Sequence, residues 1–431
     1  GKIRAKQGRE GRYLTSHSSN ERKRWTAIDL FCGAGGLSEG FRQAGFHVLA
    51  GNDFDQFAGQ TFAATHPEAT FLPGPIENIT SDDFLKAASL TRGELDCLIG
   101  GPPCQAFSVY NHQRGLHDKR SNMFREYLRI VEGLNPKWVV MENVTGIHSA
   151  GGGKAVDDIF AGLAELGYSV EKRVLRAEEY GVPQERRRVF FIGNRLGLPI
   201  RWPEPTHGPD REFPYVTIWD AISDLPQLEN GEAPDGALKY ATEPLNGYQR
   251  YLRGNRTEVG NHAAPRLAPI NLKRMAHIPE GGSWRDIPVD LLPEGMKRAR
   301  RCDHTKRYGR PFRESLSSTI LTKCDLHWGA YIHPTQDRTF TVREAARLQS
   351  FPDWFEFTGP RTEQYVQVGN AVPPLLAKQV GLALIGAALS SPAGGGPRAA
   401  RGRARARRAR TSRSPRGRAS RPRARRSSDP P

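Results

Sequence analysis

Between Trp25 and Asn194, short apolar runs alternate with amphipathic stretches, and no other feature of this 431-residue chain restricts its fold as much. "TAIDLF" is followed by "GGLSEGFRQAG", "HVLAGND" by "FDQFAGQTFAATH", and "LDCLIG" by "SNMFREYLRIVEGL". "KWVVMENV", "AVDDIFAGLAELG", "SVEKRVL" and "RVFFIGN" complete the series. Strand and helix in alternation predict βαβ units and an α/β fold, a mostly parallel sheet covered by helices on both faces. Such sheets bind ligands at the carboxyl ends of their strands. From Leu198 to Thr339 the texture changes to Pro, Gly and scattered charge, which predicts a second, smaller and irregular domain. "TVREAARLQSF" restores a helical pattern, and "PLLAKQVGLALIGAALS" predicts a helix that packs back on the first domain. The expected organisation is a basic arm at 1–24, a sheet domain at 25–197, the irregular domain at 198–339, a returning segment at 340–390 and a tail at 391–431.

Charge separates the ends from the middle. Residues 391–431 hold fourteen Arg against one Asp, about +13, and residues 1–24 hold eight Lys or Arg against two Glu, about +6. The total is +17, so the segment between them is close to neutral, near −2. Both ends lack apolar periodicity and are expected to be disordered. The tail offers sequence-independent attraction to phosphates, or is merely a solvated extension. No apolar run approaches the roughly 20 residues of a membrane helix, and the polar N-terminus shows no secretory signal. Five cysteines without framework spacing favour a reducing cytosol.

Two loops carry chemistry. "DLFCGAGGLSEGF", residues 29–41, is a strand, a glycine turn and a helix start, where free N–H groups and missing side chains admit a ligand. Ser38 stands where the dinucleotide fingerprint requires glycine. Asp53, ending the next strand, is placed to accept hydrogen bonds from ribose hydroxyls, so the pair suits an adenosine ligand. "GGPPCQAFS", residues 100–108, mounts the thiol of Cys104 on a rigid proline loop at the same sheet edge. A lone cysteine is usually an inert buried thiol, but a nucleophilic one needs such a mount and a proton partner. Glu142 in "MENV" ends a strand of the same sheet and suits a general acid. In "QERRRVFFIG", Gln184 precedes Arg186 and Arg188, whose alternation predicts one shared face able to hold a carbonyl or phosphate oxygen.

Taken together, "DLFCGAGGLSEGF", "GPPCQAFS", "MENV", "QERRR", "TVREAARLQSFPD" and "QVGNAVPP" resemble the DNA (cytosine-5)-methyltransferase family of bacterial modification type, across residues 26–195 and 340–388. The resemblance implies a Rossmann-like methyltransferase sheet with a target-recognition domain at 198–339. It implies that Cys104 adds to C6 of a cytosine flipped out of duplex DNA, with Pro103 and Gln105 shaping its loop. Glu142 would meet N3, Asn143 would orient the loop, Arg188 would hold O2 and Arg186 would assist. The implied cofactor is S-adenosylmethionine, cradled by Phe31, Gly33, Gly35, Gly36 and Leu37. Asp53 would take the ribose, Phe54 and Ile76 the adenine, and Asn370 and Ala371 would close the pocket. Pro75 stands where many members carry an Asp toward the adenine amino group. The implied setting is a monomer in the bacterial cytoplasm, associated with the nucleoid and often accompanied by a restriction endonuclease of the same specificity. A tRNA methylase and an inactive DNA-binding module are the rival readings. In the irregular domain Arg253, Asn255, Arg256, Asn261 and His262 are candidates to read base edges, against the alternative of solvated loops or phosphate contacts. Cys302, His304, Cys324 and His327 match no zinc spacing, so no metal is expected.

Overall fold

A computed structural model describes residues 24–103 and 123–390. Cys104 and Gln105 lie outside the described residues, as do the tail and all but the last residue of the basic arm. The expected α/β sheet is present, with seven strands: β1 (Trp25–Leu30), β2 (Phe46–Asp53), β3 (Thr70–Pro73), β4 (Cys97–Gly100), β5 (Trp138–Val144), β6 (Ser169–Arg176) and β7 (Arg187–Asn194). They lie in the order β3-β2-β1-β4-β5-β7-β6. Between and around them run α1 (Gly36–Ala44), α2 (Gln56–Thr65), α3 (Ser81–Ala88), α4 (Met123–Leu134) and α5 (Lys154–Glu165).

Six strands run in one direction, whereas β7 runs antiparallel to its neighbours β5 and β6. The connection explains the reversal. Only ten residues join β6 to β7, too few for the crossover a parallel neighbour requires. The reversal puts the start of β7 beside the end of β5, with Val144 opposite Arg188.

Residues 195–341 carry only short helices, α6 (Ile218–Ile222), α7 (Gly247–Arg253), α8 (Pro269–Met275) and α9 (Glu294–Lys297), and a two-residue ladder of β8 (Leu238–Lys239) with β9 (Glu258–Val259). They bury an apolar cluster of their own around Met275, Trp284, Tyr308 and Ile332. The chain then returns as α10 (Val342–Leu348), α11 (Arg361–Asn370) and α12 (Pro374–Leu389). Thr341 caps α10 in a reciprocal arrangement with Glu344. In the last turn of α10, Arg347 is fully buried between Asp353 and Asp224, with Asp353 Oδ2 2.7 Å from its guanidinium. These carboxylates compensate a charge that burial would otherwise make prohibitive.

Leu376, Val380 and Leu384 of α12 join Phe41 of α1 and Phe46 of β2 in one core, the packing expected from sequence. Residues 361–389 form the one helical stretch among the described residues with the length and apolarity to cross a membrane, which the sequence reading did not anticipate. It is split between Asn370 and Pro374, and half of its apolar window is buried. The α1–α12 contact is made by small residues. A Cβ on Gly40 would stand 2.3 Å from Ala377 Cβ and 2.5 Å from the Pro374 carbonyl oxygen. Gly40→Ala therefore tests packing against propensity. In an open helix alanine would gain up to about 1 kcal/mol, but here the obstacle is partly backbone and cannot move aside. We expect urea denaturation to show a net loss of about 1–3 kcal/mol.

Candidate active site

The carboxyl ends of β1, β2, β4 and β5 open on one cavity of about 1030 Å³. Its first wall is the turn after β1. Phe31 and Gly33 adopt positive φ angles of 58° and 53°, and a side chain on Gly33 would meet nothing within 4 Å. The turn is pinned to β2: Asp53 Oδ2 accepts the Gly33 N–H at 2.8 Å, and Oδ1 accepts the Asp55 N–H at 2.9 Å. Burial raises the Asp53 carboxyl above its ordinary range, against the pull of these N–H donors. Phe54 beside it is 74% exposed while lining the cavity. A ring left so open has a free face for stacking.

The floor holds a group the sequence reading passed over within a motif it quoted. Asp29 is buried; its Oδ2 accepts the Ser38 hydroxyl at 2.6 Å, while its Oδ1 has no partner among the described residues. Burial pushes this carboxyl up to about 8. Ser38, where a dinucleotide fingerprint would have glycine, is thus committed to Asp29. Cys32, Asn52, Glu77 and Gln367 also line the cavity without having been singled out. Asn52 and Gln367 adjoin or belong to quoted segments, so neighbourhood was the available signal.

Glu142 and Arg188 form the opposite wall. Glu142 pairs with Phe190 across β5 and β7, which makes Arg188 its diagonal neighbour on the same face. Arg188 Nε donates to Glu142 Oε1 at 2.8 Å, and both side chains are nearly buried. Burial raises the Glu142 carboxyl, while Arg188 and then Arg186 draw it down. A Cβ on Gly101 would stand 3.0 Å from Glu142 Oε2, so glycine there keeps the carboxylate free. Asn143 Nδ2 donates to the Pro102 carbonyl oxygen at 3.0 Å and ties the proline loop to β5. Pro102 and Pro103 are on the cavity wall.

Of the sequence candidates within the described residues, Phe31, Gly33, Gly36, Leu37, Asp53, Phe54, Ile76, Pro103, Glu142, Asn143, Arg188, Asn370 and Ala371 line this one cavity. Gly35 and Arg186 do not. Gly35 lies behind the turn with φ 102°, its Cα facing the buried His66 ring. Arg186 precedes β7, so the alternation argument does not apply to it. It is buried and donates to the carbonyl oxygens of Ile320 at 2.9 Å, Gly369 at 2.7 Å and Ala371 at 3.0 Å.

The candidates for base reading at 253–262 are mostly engaged internally. Arg253 pairs with the buried Asp224 at 3.3 Å, and Arg256 with Glu356 at 2.7 Å. Asn261 donates to Phe357, and the buried His262 bonds Thr341 and the Pro226 carbonyl. Asn255 alone is exposed with neither bond nor ion pair among the described residues. The described residues contain no group of three His, Cys, Asp or Glu able to hold a metal ion.

Comparison with known proteins adds a family. Residues 25–386 match the model for C-5 cytosine-specific DNA methylases. The chain is 35% identical over 417 residues to the type II methyltransferase M.AgeI of Thalassovita gelatinovora, across 81% of this chain and 97% of that protein. It is 35% identical to M1.HphI of Haemophilus parahaemolyticus, covering 84% and 86%. Among solved structures, a candidate DNA modification methyltransferase encoded in an E. coli prophage superposes with a TM-score of 0.68 at 25% identity, covering 85% and 99%.

The Glu142–Arg188 contact sets a titration experiment. In Arg188→Met the bonded cation is gone and only the weaker pull of Arg186 still opposes burial, so the Glu142 carboxyl should titrate at higher pH than in the wild type. NMR of ¹³C-labelled glutamate would read the shift, and an unchanged or lower midpoint would contradict the pairing.

Proposed function

This chain belongs to the C-5 cytosine-specific DNA methylase family and is a DNA (cytosine-5)-methyltransferase, and we propose that it methylates a flipped-out cytosine in a short duplex sequence, with S-adenosylmethionine as donor. The observation that carries this reading is the composition of the cavity at the strand ends. A glycine turn with Asp53 and Phe54 lines one side, and the Glu142–Arg188 pair lines the other beside Pro103. The cavity suits the donor: Asp53 offers acceptors to a ribose, Phe54 an open ring face to adenine, and Asp29 Oδ1 a polar atom on the floor without a partner among the described residues. Pro75 and Ile76 give that side of the cavity no carboxylate of their own, and Glu77 is the nearest acid along the chain.

When bound, S-adenosylmethionine supplies an electrophilic methyl on a sulfonium centre. C5 of cytosine is too weak a nucleophile to take it unaided. Cys104, one residue beyond the cavity-lining Pro103, adds its thiolate to C6, and the ring's π electrons move toward N3 and C5. Glu142 meets the charge at N3 with a proton or hydrogen bond, which its upward shift favours. Arg188 donates to O2, where a positioned cation stabilises charge that develops only during reaction. After C5 has gained the methyl, a base removes the C5 proton, the C5–C6 double bond re-forms and the thiolate leaves. Asn143 holds the proline loop in place throughout. Arg186 serves as a positioning group behind the wall.

We assign residues 198–339 to target recognition and the enzyme to modification as a monomer, the kind of role that accompanies a restriction endonuclease. Incorporation of labelled methyl from S-adenosylmethionine into duplex DNA, compared with tRNA, tests the substrate, and bisulfite sequencing locates the target. Cys104→Ala should abolish turnover while leaving donor binding intact. Glu142→Gln should lower kcat by about 10²–10⁴. DNA carrying 5-fluorocytosine should trap a covalent complex with the wild type and not with Cys104→Ala. Methylation surviving in Cys104→Ala would remove the mechanism.

A further inference from the structure

While the 253–262 candidates are mostly engaged internally, two segments tied to the cavity wall, 297–307 and 319–328, hold paired cations such as Lys297, Arg300 and Lys306 and also Arg307 and Lys323. Glu185 joins the two segments. Its carbonyl oxygen accepts the Thr319 hydroxyl at 2.6 Å, and its carboxylate receives Lys306 at 3.4 Å. The same stretch is locked to the cavity wall. Arg186 donates both to Ile320 and to Gly369, and Leu321 lies so close to Gly369 that a Cβ there would be 2.3 Å from the Leu321 carbonyl carbon. Next to Lys306, Arg307 reaches over the Trp328 ring, 5.6 Å from its centroid.

This surface has features that folding alone does not account for. Trp328 is 62% exposed and Leu321 45% exposed. Arg307 and the exposed Lys323 make no ion pair among the described residues. An open indole stacked by an unneutralised guanidinium, in a segment that also carries the exposed, unpaired Lys323, suits a partner with both phosphates and flat apolar faces. Nucleic acid has both.

We propose that Leu321, Lys323, Arg307 and Trp328 form the lip that holds duplex DNA beside the cavity. Arg307 and Lys323 sit on backbone phosphates, and Trp328 and Leu321 lie against bases or sugars next to the displaced nucleotide. The inference rests on the methyltransferase reading above. It moves the contact surface away from residues 253–262.

The test is fluorescence anisotropy of an unmethylated, mixed-sequence duplex oligonucleotide over a salt series, with binding of labelled S-adenosylmethionine as the check on folding. Trp328→Ala should weaken DNA binding about tenfold, and Trp328→Phe should recover most of it. Arg307→Ala with Lys323→Ala should flatten the slope of log affinity against log salt by about two, while donor binding stays at the wild-type level. If the wild type binds duplex and all these variants bind it equally, the lip is wrong while the enzyme reading stands. If the wild type binds no duplex, both fall. If sedimentation shows a dimer that Trp328→Ala dissolves, a second copy of the chain covers this face and the inference is overturned.

Discussion

A guanidinium buried without compensation costs several kcal/mol, and the assembly of this site depends on how Arg186, with both terminal nitrogens bonded and its Nε without a partner among the described residues, offsets that cost. Its acceptors come from three places far apart in sequence: Gln184 beside it, Ile320 before the returning segment, and Gly369 and Ala371 at the end of α11. No one of these segments could hold the cation alone. Gln184 repeats the device, donating to the Leu348 carbonyl and the Gln349 side chain while accepting from the Ile320 N–H. The wall of the cavity, the edge of the irregular region and the returning helices are thereby fixed to one another. Two residues further on, Arg188 faces the cavity with its geometry set by that anchor.

Much of this architecture was legible because hydrophobic periodicity reports which face of each element is buried. β1, β2, β4 and β5 stand where apolar runs placed them; Asp53 and Glu142 fall at or near strand ends that open on one side, and Gly36 starts the helix that faces the same cavity. The antiparallel β7 was not legible, since "RVFFIGN" reads as a buried strand in either direction. Connection length was the available signal. The role of Arg186 was missed for a related reason: the alternation rule holds inside a strand, and β7 begins one residue later.

The irregular region was the least legible part. Polar residues there look like recognition groups because sequence does not show their partners. Arg253 and Arg347 share the buried Asp224, and Tyr240 donates to Asp353 at 2.6 Å. A region of short helices and few ladder bonds has little regular backbone hydrogen bonding to define it, so loop bonds, side-chain ion pairs and side-chain hydrogen bonds share that work. Residues that read as binding groups are consumed in holding the region together. Those left over, at 297–307 and 319–328, became visible only once the internal pairs were known.

Register ties these levels together. Arg188 meets Glu142 because Phe190 pairs with Glu142 and Val144 with Arg188. Side chains alternate along a strand, so slipping β7 by one residue would turn Arg188 to the far face and bring Arg187 or Val189 to the cavity. The apolar run Val189–Ile192, buried throughout, leaves that slip weakly opposed by hydrophobicity alone. Arg186 opposes it strongly, because a shifted strand would pull a buried cation off its carbonyl acceptors. The anchor that looks merely structural is therefore what sets the side-chain register at the cavity.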